Sequence, residues 1–416
     1  MILVCGTAVS QVLLALVAPL LTRIYTVQQF GALQVFMTVL GFGLAVVAAR
    51  YEWAILLPAE EGDAANVAVL ALVIVGATVL LFGGCIALCV GLNILPASIA
   101  PLRPYWWLIP LSLTGAGLSL VLNYWAIRCA AYARIAIAKT SQTAVQVFVQ
   151  IIGGSWLHLG LGGLLWGDAV GRLAGCVPLA WHSLRRGPYE ISRARMWGLA
   201  KRYKSFPLIS SSSALINTAG FGLPVLMIAQ GYDAKVLGWF SLVDRLMSVP
   251  CALVGQAASQ VYQQEAAERL RCDVPGLRDL FHRRAWQIAA LGTVPFIALA
   301  VFAPWLFATV FGPDWQEAGR YAQLLVPMNL VSFVIWPLMP TLNLLERQSW
   351  QLSWDVGRLV ATVATLGLIQ RYGGSASIAV AGYGSAMMLA YAAHGVLSYV
   401  AIIRRIREFE LSKMVS

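Results

Sequence analysis

Charge is scarce in this chain of 416 residues: Asp, Glu, Lys and Arg make up 11% of it, against 59% hydrophobic residues. That balance excludes a soluble globular protein. No linker, low-complexity segment or run long enough for a soluble catalytic domain interrupts the apolar stretches. There is no phosphate-cradling glycine-rich loop ending in Gly-Lys-Ser/Thr, which argues against direct ATP hydrolysis. The four His form no ligand pattern. The seven Cys (Cys5, Cys85, Cys89, Cys129, Cys176, Cys251, Cys272) have no paired metal spacing. Cys85 and Cys89, one helical turn apart in an apolar run, read as small hydrophobes. No metal, no cofactor and no catalytic residue is therefore expected.

What the chain does have is long apolar runs. At about 20 residues per crossing, its length suits about 12 transmembrane helices, read here at 2–21, 33–57, 66–90, 106–128, 133–155, 157–184, 206–230, 237–262, 285–311, 321–345, 351–370 and 375–403. The first run, Met1 to Leu21, has no basic lead-in and is long enough to span. It reads as a helix and not a cleaved signal, with a short basic leader expected ahead of it. Of the 29 Lys and Arg, nineteen fall in one set of connecting segments and five in the other. The positive-inside rule then predicts both termini in the cytoplasm. The most basic tract runs from Arg185 to Lys204, at the midpoint of the chain. It reads as an anchor on anionic phospholipids rather than a nucleic-acid site.

That tract divides the spans six and six: a bundle over 1–185, a basic linker over 186–205, a second bundle over 206–404, and a tail over 405–416. The openings of the two halves read alike. Pro19 is followed by a polar turn and Phe30-Gly31-Ala32-Leu33-Gln34-Val35-Phe36. Pro224 is followed by a turn and Leu237-Gly238-Trp239-Phe240-Ser241-Leu242-Val243. Two six-helix halves share an orientation, so the predicted fold is an all-α membrane protein of two six-helix bundles related by pseudo-twofold symmetry. This is a parallel-repeat arrangement that suits a rocking transporter.

Five cations sit inside the apolar runs: Arg50, Lys139, Arg172, Arg245 and Arg358. Each costs roughly 2.5–3.5 kcal/mol at a helix centre unless it meets water or a partner. They are candidate contacts for an anionic substrate, its diphosphate or its sugars. Asp168 with Arg172 (i,i+4) and Asp355 with Arg358 (i,i+3) can each form a neutralised pair on one helix face. Arg50 and Glu52 are two apart, and Asp244 and Arg245 are adjacent; on a helix each of these four needs a separate partner. Lys139 has no acid within a turn, and either snorkels or contacts a phosphate. Glu52, Asp168, Asp244 and Asp355 are candidate charge partners or titrating groups that couple transport. Ser210 to Ser213 with Asn217 either line a cavity or pack at a close helix contact. Trp106, Trp107, Trp156, Trp305 and Trp315 are placed in interfacial belts. Tyr124, Trp125, Trp166 and Trp336 lie deeper, where rings can stack on sugars.

Several blocks resemble the polysaccharide transporter family of oligosaccharide (O-antigen and exopolysaccharide) flippases, within the superfamily of multidrug exporters and lipid II flippases. They are Leu21-Thr22-Arg23-Ile24-Tyr25-Thr26, Phe30-Gly31, Arg50-Tyr51-Glu52-Trp53-Ala54-Ile55-Leu56-Leu57-Pro58 and Asp63-Ala64-Ala65-Asn66. Ser205-Phe206-Pro207-Leu208 and Phe311-Gly312-Pro313-Asp314-Trp315 carry it into the second half. The chain departs from the family pattern at its N-terminus, where the basic lead-in is absent. The resemblance implies alternating access in the bacterial inner membrane and a cargo of undecaprenyl-diphosphate-linked glycan. It also implies a polysaccharide polymerase and a chain-length regulator as partners. A proton- or sodium-coupled multidrug exporter of the same architecture is the alternative; it would favour an acidic, aromatic cavity. A membrane glycosyltransferase would need a large outer loop, and none is long enough.

Overall fold

Helices dominate because the apolar runs have no other way to satisfy their backbone in hydrocarbon. The computed structural model describes residues 2–94, 96, 99–184 and 189–415. Arg185 and Arg186 of the basic tract, and the expected boundary at 185, lie outside the described residues. Among those described there is no strand. Among the described residues nine helices are long and apolar enough to cross a membrane, and a bent pair makes a tenth. The two remaining expected spans are α1 (Ile2–Ile24) and α7 (Leu161–Leu184). Of α1, Val9–Ile24 reads as a shorter apolar helix, while α7 is diluted by Asp168 and Arg172.

The chain divides into two compact units, Met1–Gly238 and Trp239–Ser416. In the first unit, α1 is followed by α2 (Val27–Val46), the short α3 (Tyr51–Ala54), α4 (Glu61–Gly91), α5 (Leu108–Arg128) and α6 (Tyr132–Ser155). Then come α7, the basic α8 (Arg193–Arg202) and α9 (Ser211–Gly231). Small residues set the tightest seam, between α6 and α7: Gly167, Gly171 and Gly175 meet Gln150, Gln146 and Gln142, with no room for a Cβ at Gly167 or Gly171. Tyr25 closes the end of that seam, donating its hydroxyl to the Gln150 carbonyl at 2.5 Å.

The second span differs from expectation at both ends. Its helix starts early because Thr26 and Gln29 form a reciprocal capping box. It stops at Val46 because Ala49 (φ 47°) and Arg50 (φ 61°) take left-handed backbone, which costs a non-glycine residue energy and ends helical propagation. The strained turn is fastened from α5: Arg128 donates to the carbonyls of Ile55 (3.1 Å), Pro58 (2.7 Å), Ala59 and Glu60 (both 3.4 Å).

The two repeat glycines meet inside the first unit. A Cβ on Gly31 would stand 2.5 Å from the Ala234 carbonyl oxygen and 3.1 Å from the Gly238 nitrogen. A Cβ on Gly238 would overlap the Val27 carbonyl oxygen. This contact brings the first turn of α10 (Ala234–Cys272) against that of α2.

The second unit holds the rest of α10, α11 (Gly276–Phe311), α12 (Gln316–Ile335), the short α13 (Pro340–Leu344), α14 (Gln348–Arg371) and α15 (Ala376–Val415). α10 is bent by 42° between Val249 and Val254, a stretch where Pro250 lacks an N–H to donate. The span expected at 321–345 tightens to a 3-10 turn at Trp336–Leu338, which contains Pro337 and is followed by Pro340. Trp315, expected at an interface, is instead 2% exposed in the core of this unit, below the turn made by Gly312 (φ 110°). Trp156 and Trp305 are exposed as a belt requires, at 79% and 67%.

Candidate functional site

Apolar helices that carry polar side chains inward enclose wet space, and the first unit does so between α2, α5, α6 and α7. A cavity of about 210 Å³ there is lined by Lys139 and Arg172, with Ser119, Asn123 and Gln142 as its other polar groups. Two of the five candidate cations thus share one chamber. Gln142 follows Lys139 by three residues on α6, so both fall on one face. Asn123 comes from α5, and its buried Oδ1 accepts no hydrogen bond. Arg172 is held in place by Asp168, Nε to Oδ2 at 2.8 Å, and its Nη2 reaches the Met37 sulfur at 3.7 Å. Asp168 is buried and is not among the lining residues. The chamber therefore presents basic and neutral polar groups and no acid, which suits an anion.

Arg50 and Glu52 do not share that chamber. On a continuous helix they would diverge; the left-handed backbone at Arg50 brings Nη1 to 3.7 Å from Glu52 Oε1. Arg50 also lies over the Trp53 ring at 5.4 Å. Glu52 is almost fully buried, its Oε2 accepts no hydrogen bond, and burial pushes its carboxyl above the ordinary 4.5, against the opposing pull of a backbone hydrogen bond and Arg50. Neighbouring blocks turn out to be fasteners. Tyr51 donates to the Ala200 carbonyl at 3.0 Å. Asn66 donates to the carbonyls of Gly62 (2.8 Å) and Glu190 (2.9 Å) and accepts from the Ser192 amide (2.9 Å). These bonds tie the basic α8 to α3 and α4.

In the second unit, Arg358 is buried, 3.5 Å from Asp355 and 4.9 Å above the Trp354 ring. A polar chain continues from this pair. Gln351 donates to Asp355 (3.4 Å), His394 shares a hydrogen bond with Gln351 (2.9 Å), and Ser398 shares one with His394 (3.3 Å). His394 and Gln351 are 43 residues apart in sequence, so only the packing of α14 on α15 reveals the chain. Asp244 is exposed and Arg245 half-buried on α10, and neither lines the cavity of the first unit. Asp244 and Arg358 both act electrostatically on Tyr383.

Of the serine run, Ser211 is buried and Ser212 back-bonds to Leu208 at 3.0 Å; Ser213 and Asn217 are exposed. Among the deep aromatics, Trp125 packs edge-on against Tyr189, and Trp166 does so against Trp107. Trp336 is 41% exposed, and Tyr124 lies near Glu52 and Arg50. None of these four lines the cavity. Asn123 and Gln142 were not singled out from sequence. Their signal was there, in amides embedded in apolar runs, one of them a turn from Lys139.

A profile of a family described as polysaccharide biosynthesis protein matches residues 20–320. No curated protein matches the chain in sequence. Solved structures match it along most of its length. The lipid II flippase MurJ, in an inward closed conformation, superposes with a TM-score of 0.72 at 9% identity, over 97% of this chain and 87% of that one. An inward-facing multidrug resistance transporter of the MATE family, in the MOP superfamily, gives 0.67 at 16% identity, over 95% and 96%. A MATE structure in complex with MaL6 gives 0.63 at 14% identity, over 98% and 95%. The fold is one shared with these membrane transporters. With residues 20–320, nearly three quarters of its length, matched by one family profile, this chain belongs to the polysaccharide biosynthesis protein family.

Proposed function

We propose that the protein is a flippase for undecaprenyl-diphosphate-linked oligosaccharide in the bacterial inner membrane, working by alternating access with both termini in the cytoplasm. The observation that carries this reading is the chamber holding Lys139 and Arg172, with no acid among its lining residues. Two cations on one lining, with the Asp168 carboxylate that holds Arg172 kept outside it, make a positive surface that suits an anionic visitor. A cavity of about 210 Å³ suits a diphosphate, with the sugars extending beyond it and the polyprenyl tail in lipid. The polysaccharide biosynthesis family assignment supports the same cargo class. Arg50, Arg245 and Arg358 are proposed as further headgroup contacts along the path. Glu52, Asp168, Asp244 and Asp355 are proposed as their counter-charges. The two bundles, 1–185 and 206–404, are proposed as the rocking parts. The alternative, a drug exporter, would need acids where this cavity has none.

The test is binding of inorganic diphosphate and of a short-chain polyprenyl diphosphate to purified protein. Each charge-assisted hydrogen bond is worth ≈1.5–3 kcal/mol, so Lys139→Gln should weaken diphosphate binding about 10–150-fold. The double variant Asp168→Asn with Arg172→Gln removes the second cation without stranding a buried acid, and should do likewise. Unchanged binding in both, or preferential binding of organic cations, overturns the reading.

A further inference from the structure

A second chamber of the first unit lies at the opposite end of α2. It is larger, about 420 Å³, a size typical of small-molecule sites. The Lys139–Arg172 cavity touches α2 at Leu44, whereas this one touches it from Gln28 to Val35. Sixteen residues at 1.5 Å each separate Gln28 from Leu44, about 24 Å along the helix. Their linings differ in kind. The second chamber has Gln28, Gln29, Gln230 and Tyr232 as its polar groups over an apolar floor that includes Pro101 and Leu161; among the described residues no acidic, basic or His side chain lines it.

An uncharged lining cannot balance an ion, so phosphate has no reason to stay there. Amides and a phenol offer donors and acceptors side by side, which is what a neutral polyol needs. One amide is already oriented. Gln29 Oε1 accepts from the Thr26 amide at 3.0 Å, which fixes which end of this amide is the donor. Gln29 Nε2 lies beside Gly160 (φ 53°), 3.0 Å from where a Cβ on that glycine would stand. Burial pushes the Tyr232 phenol up, so it remains a neutral O–H. The apolar floor meets the C–H faces of a sugar ring.

We propose that this chamber is a glycan subsite, which takes one or two neutral sugar residues and discriminates against phosphate. The inference rests on the flippase reading and divides its cargo between two stations, an anionic one near the Leu44 end of α2 and a neutral one near its start.

The experiment is hydrogen–deuterium exchange on the full-length protein with two probes. One is inorganic diphosphate. The other is the glycan pool released by mild acid from the membrane lipids of the native cell, which carries the right sugars without their phosphates. The released glycans should protect 27–35 and 229–237, and diphosphate should protect 135–142 instead. Gln230→Ala should weaken glycan protection at least five-fold and leave the diphosphate response unchanged, as should Gln28→Ala. The subsite is overturned if the glycans give no protection at 27–35 and 229–237, if diphosphate protects those segments, or if both variants respond as the parent does. Diphosphate protection at 135–142 without glycan protection removes this inference and leaves the flippase reading standing; loss of the diphosphate response removes the flippase reading.

Discussion

Adding one methyl group at Gly238 should part α2 from the first turn of α10. The new carbon would overlap the Val27 carbonyl oxygen and stand 2.6 Å from Val27 Cγ1 and 2.7 Å from its carbonyl carbon. Carbon atoms are at ease at ≈3.5–4.0 Å, so the helices must separate by about 1 Å. Two of the obstructing atoms belong to backbone and cannot rotate away. Overpacking of this kind costs typically 1–3 kcal/mol, a factor of about 5–150 in any equilibrium between closed and parted states. An open population of ~1% would rise to ~5–60%. The assay is pulsed EPR between nitroxides at Gln28 and Lys235, both exposed, after the exposed Cys85, Cys89 and Cys272 are replaced. Gly238→Ala should add or enlarge a longer-distance population, and Gly31→Ala should do so more weakly, since its nearest clash is 2.5 Å from the Ala234 oxygen. An unchanged distance distribution in Gly238→Ala, with thermal stability retained, would refute the idea that this contact opens and closes.

Two further outcomes follow from the turn after α2. Arg128→Ala removes the guanidinium that holds four carbonyls, two of them at 3.1 Å or less. At ≈1.5–3 kcal/mol for each good charged hydrogen bond, a loss of roughly 3–6 kcal/mol is expected, read as faster proteolysis between Ile55 and Glu60; resistance equal to the parent's would contradict it. For Glu52, burial raises the folded-state value above 4.5, so the folded state holds the proton more tightly than the unfolded chain. Its penalty is therefore present above the raised value and vanishes as pH falls below 4.5. Glu52→Gln should stabilise the protein at pH 7, with the gain over the parent shrinking as pH approaches 4.5, in thermal unfolding across that range. A gain that grew on acidification would reverse the sign argued here.

Hydropathy alone located the spans, since hydrocarbon imposes length and composition on any helix that crosses it. What it missed was backbone geometry. Nothing in the composition of residues 33–57 signals that Ala49 and Arg50 adopt left-handed conformations, yet that turn decides where α2 ends and why Arg50 meets Glu52. The two i-to-i+3 or i+4 pairs, Asp168 with Arg172 and Asp355 with Arg358, were readable because both partners share one helix. The chamber around Lys139 was not, because its wall is assembled by packing four helices, α2 with α5, α6 and α7. His394 was invisible for the same reason, and Trp315 was misplaced because belt aromatics and core aromatics look alike in one dimension.

The bonds from Tyr51 and Asn66 to the stretch 190–200 have a mechanical result. The cationic strap formed by Arg193, Arg195, Lys201 and Arg202 cannot ride on headgroups independently of the bundle. On the proposed topology, any tug that acidic lipids exert on the strap is borne by the strained elbow carrying Arg50 and Glu52. Leaflet composition would then set the tension at that elbow.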